Sequence, residues 1–143
     1  MKRIVVPDAS VILKWALPPG GERDGDRATE LLDAWLADKM DFLLPPLWVY
    51  EVGNILALKA PEMAEDLLTI LIGYGIDEVA PTPRICGTTF RLMGKCRTTF
   101  YDAVYHAVAL ERGGLLVTAD EAYFRKAGKE GGVLQLRDFR SSP

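Results

Sequence analysis

The sequence predicts an α/β protein, a layered sheet of largely parallel strands with helices packed over it. Three observations carry that expectation. Short apolar runs recur along the chain. Most are continuously apolar rather than alternating, the pattern of strands covered on both faces. The segments between them have helical periodicity and are long enough for parallel crossovers. The chain of 143 residues has room for one domain, expected to span residues 1–143. A chain near that length buries roughly 70% of the surface its unfolded form exposes, so a layered core is feasible.

Five runs read as strands: Ile4-Val5-Val6, Phe42-Leu43-Leu44, the region from Ile76 to Val79, Leu115-Leu116-Val117, and Val133-Leu134-Gln135-Leu136. A helix is expected to begin just after Asp8. Pro18 to Gly25 reads as a mobile loop, rich in proline and glycine. From Asp26 to Asp38 the residues Ala28, Leu31, Leu32, Trp35 and Leu36 form one apolar stripe. Pro45-Pro46 is placed where proline is tolerated, at a helix start, and opens a helix to Lys59. Pro61 opens another to Ile72, stopped by Gly73 and Gly75. Helices over Arg84–Lys95, Phe100–Arg112 and Glu121–Ala127 complete the set. No internal repeat or heptad run is present.

Composition excludes several function classes. Hydrophobic residues are 49% and charged residues 26%, a globular balance far from disorder. The net charge of −3 excludes a generally basic nucleic-acid coat, though not a local basic patch. Cys86 and Cys96 are the only cysteines and lack a C-x-x-C context, which argues against a disulfide scaffold and a structural zinc site. His106 is the only histidine, so multi-histidine metal sites are excluded. Pro7 and Asp8 interrupt the apolar start too early for a signal peptide, and no run reaches the roughly 18 residues of a membrane span. A cytoplasmic protein without membrane contact is expected.

Four carboxylates occupy informative places. Asp8 stands where the first strand ends and a helix begins, where open α/β sheets place ligands. Helix capping by Asp8 or Ser10 is an equally good account, and the two are compatible. Glu51 lies in Leu47-Trp48-Val49-Tyr50-Glu51-Val52-Gly53-Asn54-Ile55-Leu56, a helix apolar nearly all round and therefore expected to be buried. Its polar side chains before Lys59 are Glu51 and Asn54. A buried carboxylate needs a cation, a donor or a metal; a hydrogen bond to loop backbone would also serve. Asp102 has the capping-box spacing from Thr99 and sits in a helix's first turn. His106, one turn on, could contact it but reads as a surface or structural residue. Asp120 follows the fourth strand as Asp8 follows the first, with capping again the plain alternative. If those two strands are neighbours, both acids flank one crevice.

Together these segments resemble the PIN-domain nucleases, in particular the VapC-type toxins of toxin–antitoxin pairs. Val6-Pro7-Asp8-Ala9-Ser10-Val11-Ile12-Leu13-Lys14-Trp15 resembles the opening strand motif. Pro45 through Glu51 to Leu56 is similar to the helix carrying the family's glutamate. Tyr101-Asp102-Ala103-Val104-Tyr105 looks like the third motif, and Thr118-Ala119-Asp120-Glu121-Ala122-Tyr123-Phe124 the fourth. The resemblance covers nearly the whole chain. It implies a three-layer α/β/α sandwich with a parallel five-stranded sheet ordered 3-2-1-4-5. It places the acidic site on Asp8, Glu51, Asp102 and Asp120, supported by Ser10, Asn54 and Thr118. It further implies Mg²⁺- or Mn²⁺-dependent cleavage of RNA, a homodimer, and a cognate antitoxin protein as partner. Many relatives carry a further acid two residues after the last aspartate. Here that position is Ala122, with Glu121 as a possible substitute. A catalytically weak PIN-fold module that binds RNA or antitoxin is the alternative this departure supports.

The residues suit that chemistry. Carboxylates without a His/Cys cluster favour a hard cation bound by oxygen. Asp8 and Asp120 would anchor the metal, Asp102 would hold a second ion or orient water, and Glu51 would position the attacking water. Two ions, if bound, would lie roughly 3.5–4 Å apart. The four acids contribute four negative charges to a total of −3, so the remainder sums to +1; two divalent ions would bring the whole to +1. Between Val79 and Tyr101 the chain carries Arg84, Arg91, Lys95 and Arg97 and no acid. These form the candidate phosphate track, although each also fits a solvated helix face. Single-stranded RNA or a structured loop is the expected substrate. Trp35, Leu36, Met63, Leu67 and Leu71 exceed what a small sheet needs and mark a candidate surface for an antitoxin segment or a second subunit.

Overall fold

The structure, a computed structural model, describes residues 2–17 and 23–141. Its strands are β1 (Arg3–Pro7), β2 (Met40–Leu44), β3 (Asp77–Glu78), β4 (Leu115–Thr118) and β5 (Val133–Gln135). The helices are α1 (Ala9–Ala16), α2 (Gly25–Leu36), α3 (Trp48–Lys59), α4 (Ala64–Gly73), α5 (Pro83–Cys96), α6 (Phe100–Glu111) and α7 (Glu121–Ala127). All strand pairs are parallel and the order is β3-β2-β1-β4-β5. The expected fold class and strand order are both present.

Alternation along the central strands divides the core. Val5, Phe42 and Val117 face one layer with Ala28, Leu31 and Ala34 of α2, closed by Leu136 and Phe139 near the C-terminus. Val6 and Leu116 face the other, where α6 presents Ala103 to Ala109 as an unbroken buried run. Layers on both faces explain why Ile4 to Val6 of β1 and Leu115 to Val117 of β4 are continuously apolar. The indole of Trp35 stacks on Phe42 at 5.2 Å, and Trp15 stacks on the same ring at 5.6 Å. At the turn into β4, only glycine fits position 114: a Cβ there would lie 2.7 Å from the carbonyl oxygen of Ile4.

Element boundaries depart from expectation where local chemistry changes. Pro45 and Pro46 form a turn ahead of α3 instead of its first residues, with Trp48 N–H bonding Pro45 O at 3.1 Å. Pro61 likewise sits in a turn before α4. β3 shrinks to Asp77–Glu78, an exposed edge strand. The expected loop from Pro18 to Gly25 falls largely outside the described residues; Arg23 and Asp24 form a turn and Gly25 already begins α2.

Two expectations about burial are corrected. The helix carrying Glu51 is not buried all round: Trp48, Val52 and Leu56 are, but Tyr50 and Leu58 are 77% and 76% exposed. α3 packs mainly on α1 and α4, and no described element covers its outer side. Of the candidate docking residues, Trp35 is spent on Phe42 and Tyr74, Leu71 is buried and Leu67 is partly packed. Leu36 and Met63 are exposed, together with Ile70 and Ile72. No helix among the described residues is long and apolar enough to cross a membrane. Cys86 and Cys96 are free thiols.

Candidate functional site

The sheet order reverses direction at β1, whose neighbours are β2 and β4. Connections leave β1 and β4 to opposite sides, opening a crevice at their carboxyl ends. Asp8 follows β1 there and donates its backbone N–H to Val117 O at 3.2 Å. The two strand-end acids are thus brought to one place by sheet register. A cleft of about 180 Å³ lies at this point, lined by Asp8, Ala9, Ser10, Glu51, Ile55, Asp102, Tyr105, Asp120 and Tyr123. The four acids meet in it, and no basic residue is in its lining.

Asp8 is the most constrained. Its Oδ1 accepts from the backbone N–H of Ser10 at 3.0 Å and from the Ser10 hydroxyl; its Oδ2 accepts from the Thr118 hydroxyl. Both hydroxyls are themselves oriented. Ala119 N–H donates to Ser10 Oγ at 2.9 Å, and Asp120 N–H donates to Thr118 Oγ1 at 3.0 Å. With a backbone donor on each hydroxyl oxygen, the hydroxyl protons are directed at Asp8. Capping of α1 and presentation to the cleft therefore coexist in one side chain. Burial pushes the Asp8 carboxyl up to about 6, against the hydrogen bonds from Ser10, Thr118 and Val11, with Asp120 adding repulsion.

Asp120 caps α7 through Oδ1, which accepts Tyr123 N–H at 3.0 Å. This leaves Oδ2 without a hydrogen-bond partner among the described residues. Asp102 lies in the first turn of α6, where Thr99 Oγ1 accepts its backbone N–H at 3.1 Å. Burial and then the charge of Asp120 raise its carboxyl above the usual range, partly offset by Thr99 and Lys126. Glu51 Oε1 accepts the hydroxyl of Tyr105 at 2.6 Å. Its carboxyl is also raised, first by burial and then by Asp102, with Tyr105 opposing. Asp8, Glu51 and Asp102 are each harder to ionise, first because they are buried and then because another acid stands beside them. Raised carboxyls gathered in one cleft mark it as a candidate functional site.

The donor set fits a hard divalent ion. All side-chain ligands available in the cleft are oxygens, as Mg²⁺ and Mn²⁺ prefer. Among the described residues no three His, Cys, Asp or Glu side chains close into a metal cluster of their own. The cleft nevertheless joins four carboxylates, and a hard divalent ion that keeps several waters needs only one or two direct protein ligands.

Of the other expected site residues, only Ser10 lines the cleft. Ser10 and Thr118 hold Asp8, while Asn54 is exposed and absent from the cleft lining. Ala122 is exposed, and Glu121 is no substitute for an acid there: it faces Arg137 at 3.8 Å and Arg23 at 4.0 Å, outside the cleft. Arg84 is engaged by Glu111 at 2.6 Å and Lys95 by Glu130 at 3.5 Å. Arg91 donates to Thr88 Oγ1 at 2.8 Å, and Arg97 is exposed at the end of α5. None of the four lines the cleft.

His106 is structural but not on the surface. It is fully buried, and its ring contacts Tyr123 OH at 2.8 Å through Nδ1 and Gly131 O at 2.7 Å through Nε2, so it does not pair with Asp102. A carbonyl only accepts, so Nε2 carries the proton and Nδ1 accepts from the phenol. Burial lowers the imidazole's affinity for a second proton, which keeps it neutral. Tyr105 and Tyr123 were not anticipated as site residues, because an aromatic on a buried helical face reads as core. Lys126 stands near the cleft without lining it. Its ammonium acts on Asp102 and reaches Arg97 O at 3.4 Å, a proximity created by the packing of α7 on α5.

Solved structures with the same fold include a toxin–antitoxin complex from Klebsiella pneumoniae, 16% identical, covering 92% of this chain and 97% of that one with a TM-score of 0.67. PAE2754 from Pyrobaculum aerophilum is 23% identical over 95% of this chain and 90% of its own, with a TM-score of 0.67. VapC20 from Mycobacterium tuberculosis, a sarcin–ricin-loop-cleaving toxin, is 13% identical over 80% and 87%, with a TM-score of 0.61. No curated protein matches the chain. The family model of the PIN domain matches residues 5–130, a span that contains all four cleft acids, and on that match the chain belongs to the PIN-domain family.

Proposed function

We propose that this protein is a divalent-metal-dependent endoribonuclease, carried by one domain over residues 1–143, and the toxin of a VapBC-type toxin–antitoxin pair. The observation that carries the reading is the convergence of Asp8, Glu51, Asp102 and Asp120 on one cleft whose lining holds no base. Asp8 and Asp120 would hold Mg²⁺, with Mn²⁺ able to substitute, and Asp102 would hold a second ion or orient water. When bound, the ion polarises the scissile phosphate and makes a coordinated water more acidic. The chain's own residues supply the rest. Ser10 and Thr118 keep Asp8 in one rotamer, and Glu51 orients the attacking water. Tyr123, its hydroxyl spent on His106, forms part of the wall.

Phosphate contacts would come from Arg91 and Arg97, joined by Lys126; Arg84 and Lys95 would first have to leave Glu111 and Glu130. Single-stranded RNA or a structured loop is the substrate class proposed, because its bases can be splayed out of the stack. The toxin–antitoxin neighbours support a cognate antitoxin as partner. Exposed Tyr50, Leu58, Met63, Ile70 and Ile72 on α3, α4 and the turn between them would be covered by it or by the second subunit of a homodimer. A cytoplasmic setting would keep Cys86 and Cys96 reduced.

The test is cleavage of a structured RNA by wild type and Asp102→Asn, each with Mg²⁺ or Mn²⁺ and with chelator. Cleavage by metal-loaded wild type alone supports the reading. Equal cleavage in every sample, or none in any, overturns it.

A further inference from the structure

We propose that Tyr105 is a positioning residue for Glu51, fixing which carboxylate oxygen faces the cleft. The inference rests on the metal-dependent reading of that cleft. Tyr105 is only 2% exposed and its ring belongs to the main core, yet it contributes to the cleft lining and its hydroxyl reaches Glu51 Oε1 at 2.6 Å. The bond spans 54 residues of sequence and is the only hydrogen bond between the α3 and α6 segments among the described residues.

The acids of the cleft differ in how firmly they are held. Asp8 accepts three hydrogen bonds on a short side chain. Glu51 has one more rotatable bond and a single donor. It stands on a helix whose outer side is uncovered, and Asp102 repels it. Without the Tyr105 hydroxyl nothing among the described residues would select one Glu51 conformer or offset the cost of its burial. With it, Oε1 is occupied and Oε2 is left for a cation or its water. The phenol is suited to the task because its hydroxyl is a hydrogen-bond donor carried on a rigid, buried ring. The second phenol of the cleft, Tyr123, is committed to His106 and has no such role.

A double-mutant cycle decides the matter. Tyr105→Phe, Glu51→Gln and the double variant are compared with wild type for Mn²⁺ affinity by calorimetry, and for kcat and KM on one RNA. Removing one buried oxygen keeps the ring in place, and a cooperative melt verifies each fold. Tyr105→Phe is expected to lower Mn²⁺ affinity and kcat by about tenfold, the lower end for a partner that orients a ligand, with KM for RNA unchanged. In the Glu51→Gln background the same change is expected to cost less than about twofold. Values for Tyr105→Phe within twofold of wild type would overturn the proposal. So would equal losses in both backgrounds, which mark a core residue only. If wild type binds Mn²⁺ yet leaves RNA intact, the ribonuclease reading fails while the affinity cycle still judges Tyr105. Absence of Mn²⁺ binding by wild type overturns both.

Discussion

Thr118, the last residue of β4, donates its hydroxyl to Asp8, the first residue after β1, across 110 positions of sequence. The same hydroxyl oxygen accepts Asp120 N–H. One buried threonine thus couples the two strand-end acids, and its geometry follows from β1 and β4 being parallel neighbours in register. Thr118→Val keeps the shape and removes the hydroxyl, leaving one acceptor on Asp8 and one backbone donor on Asp120 without their partner. The expected cost is about 1–3 kcal/mol in chemical denaturation, with weaker Mn²⁺ binding. An unchanged denaturation midpoint would show that the pair carries no such coupling.

Metal should stabilise the fold, because burial and then a neighbouring acid both hinder ionisation of Asp8, Glu51 and Asp102, and a bound cation would favour their anions. A ligand at a hundredfold its dissociation constant adds about 2.7 kcal/mol. For a domain of this size that is a rise of roughly 5–10 °C in Tm. Asp8→Asn should lose most of that rise. The measurement is a thermal melt in Mg²⁺ or Mn²⁺ against chelator, and superimposed wild-type curves would remove the site.

Asp8 also gives the metal-free protein a pH dependence of definite sign. Its carboxyl is raised from 3.8 to about 6 in the fold, so between those values the native state binds the proton that the unfolded chain has released. Stability then falls as pH rises through this window and levels off above about 6. The contribution is bounded at about 3 kcal/mol. His106, whose affinity for a proton is lowered by burial, acts with the opposite sign below its unfolded value near 6.5. The two are separated by comparing wild type with Asp8→Asn in chelator from pH 4 to 7. Relative to the variant, wild type should lose stability with rising pH; a constant difference would contradict the assignment. Saturating Mg²⁺ should reverse the trend, since the ligating form is the anion.

The parts of the site legible in the sequence were those set by local rules. Asp8 and Asp120 stand at strand ends ahead of helices, and Asp102 three residues past Thr99, positions that capping chemistry and periodicity reveal without a fold. Glu51 drew notice as a carboxylate within an apolar helix. What escaped notice depends on contacts between distant segments. Nothing in Phe100-Tyr101-Asp102-Ala103-Val104-Tyr105 says that the second tyrosine meets Glu51, because that contact requires α3 and α6 to converge. The burial of His106 depends on the carbonyl of Gly131, a residue with φ of 83° in the turn before β5. The apolar composition of α3 suggested burial on all sides, whereas composition cannot tell a core helix from one with an uncovered face. In the basic stretch, Glu111 and Glu130 claim Arg84 and Lys95 from outside it, which a charge count within one segment cannot register.

Arg97 offers a test of stability against function at a single position. It ends α5 in the left-handed region, with φ of 53° and its N–H on Met93 O. Glycine is the usual residue there because it lacks the Cβ that clashes. The strain costs roughly 1–2 kcal/mol for an L-residue. Glycine's greater freedom in the unfolded chain returns about 0.4–1 kcal/mol of that. Arg97→Gly should therefore stabilise the protein by about 0.5–1 kcal/mol in denaturant. If the arginine contacts an RNA phosphate, the same variant should bind RNA more weakly at low salt. The slope of log affinity against log salt should also fall in magnitude by about 0.7, the loss of one single-strand phosphate contact. Stabilisation with an unchanged salt slope would leave the strained residue without a role in RNA binding and confine the phosphate track to Arg91 and Lys126.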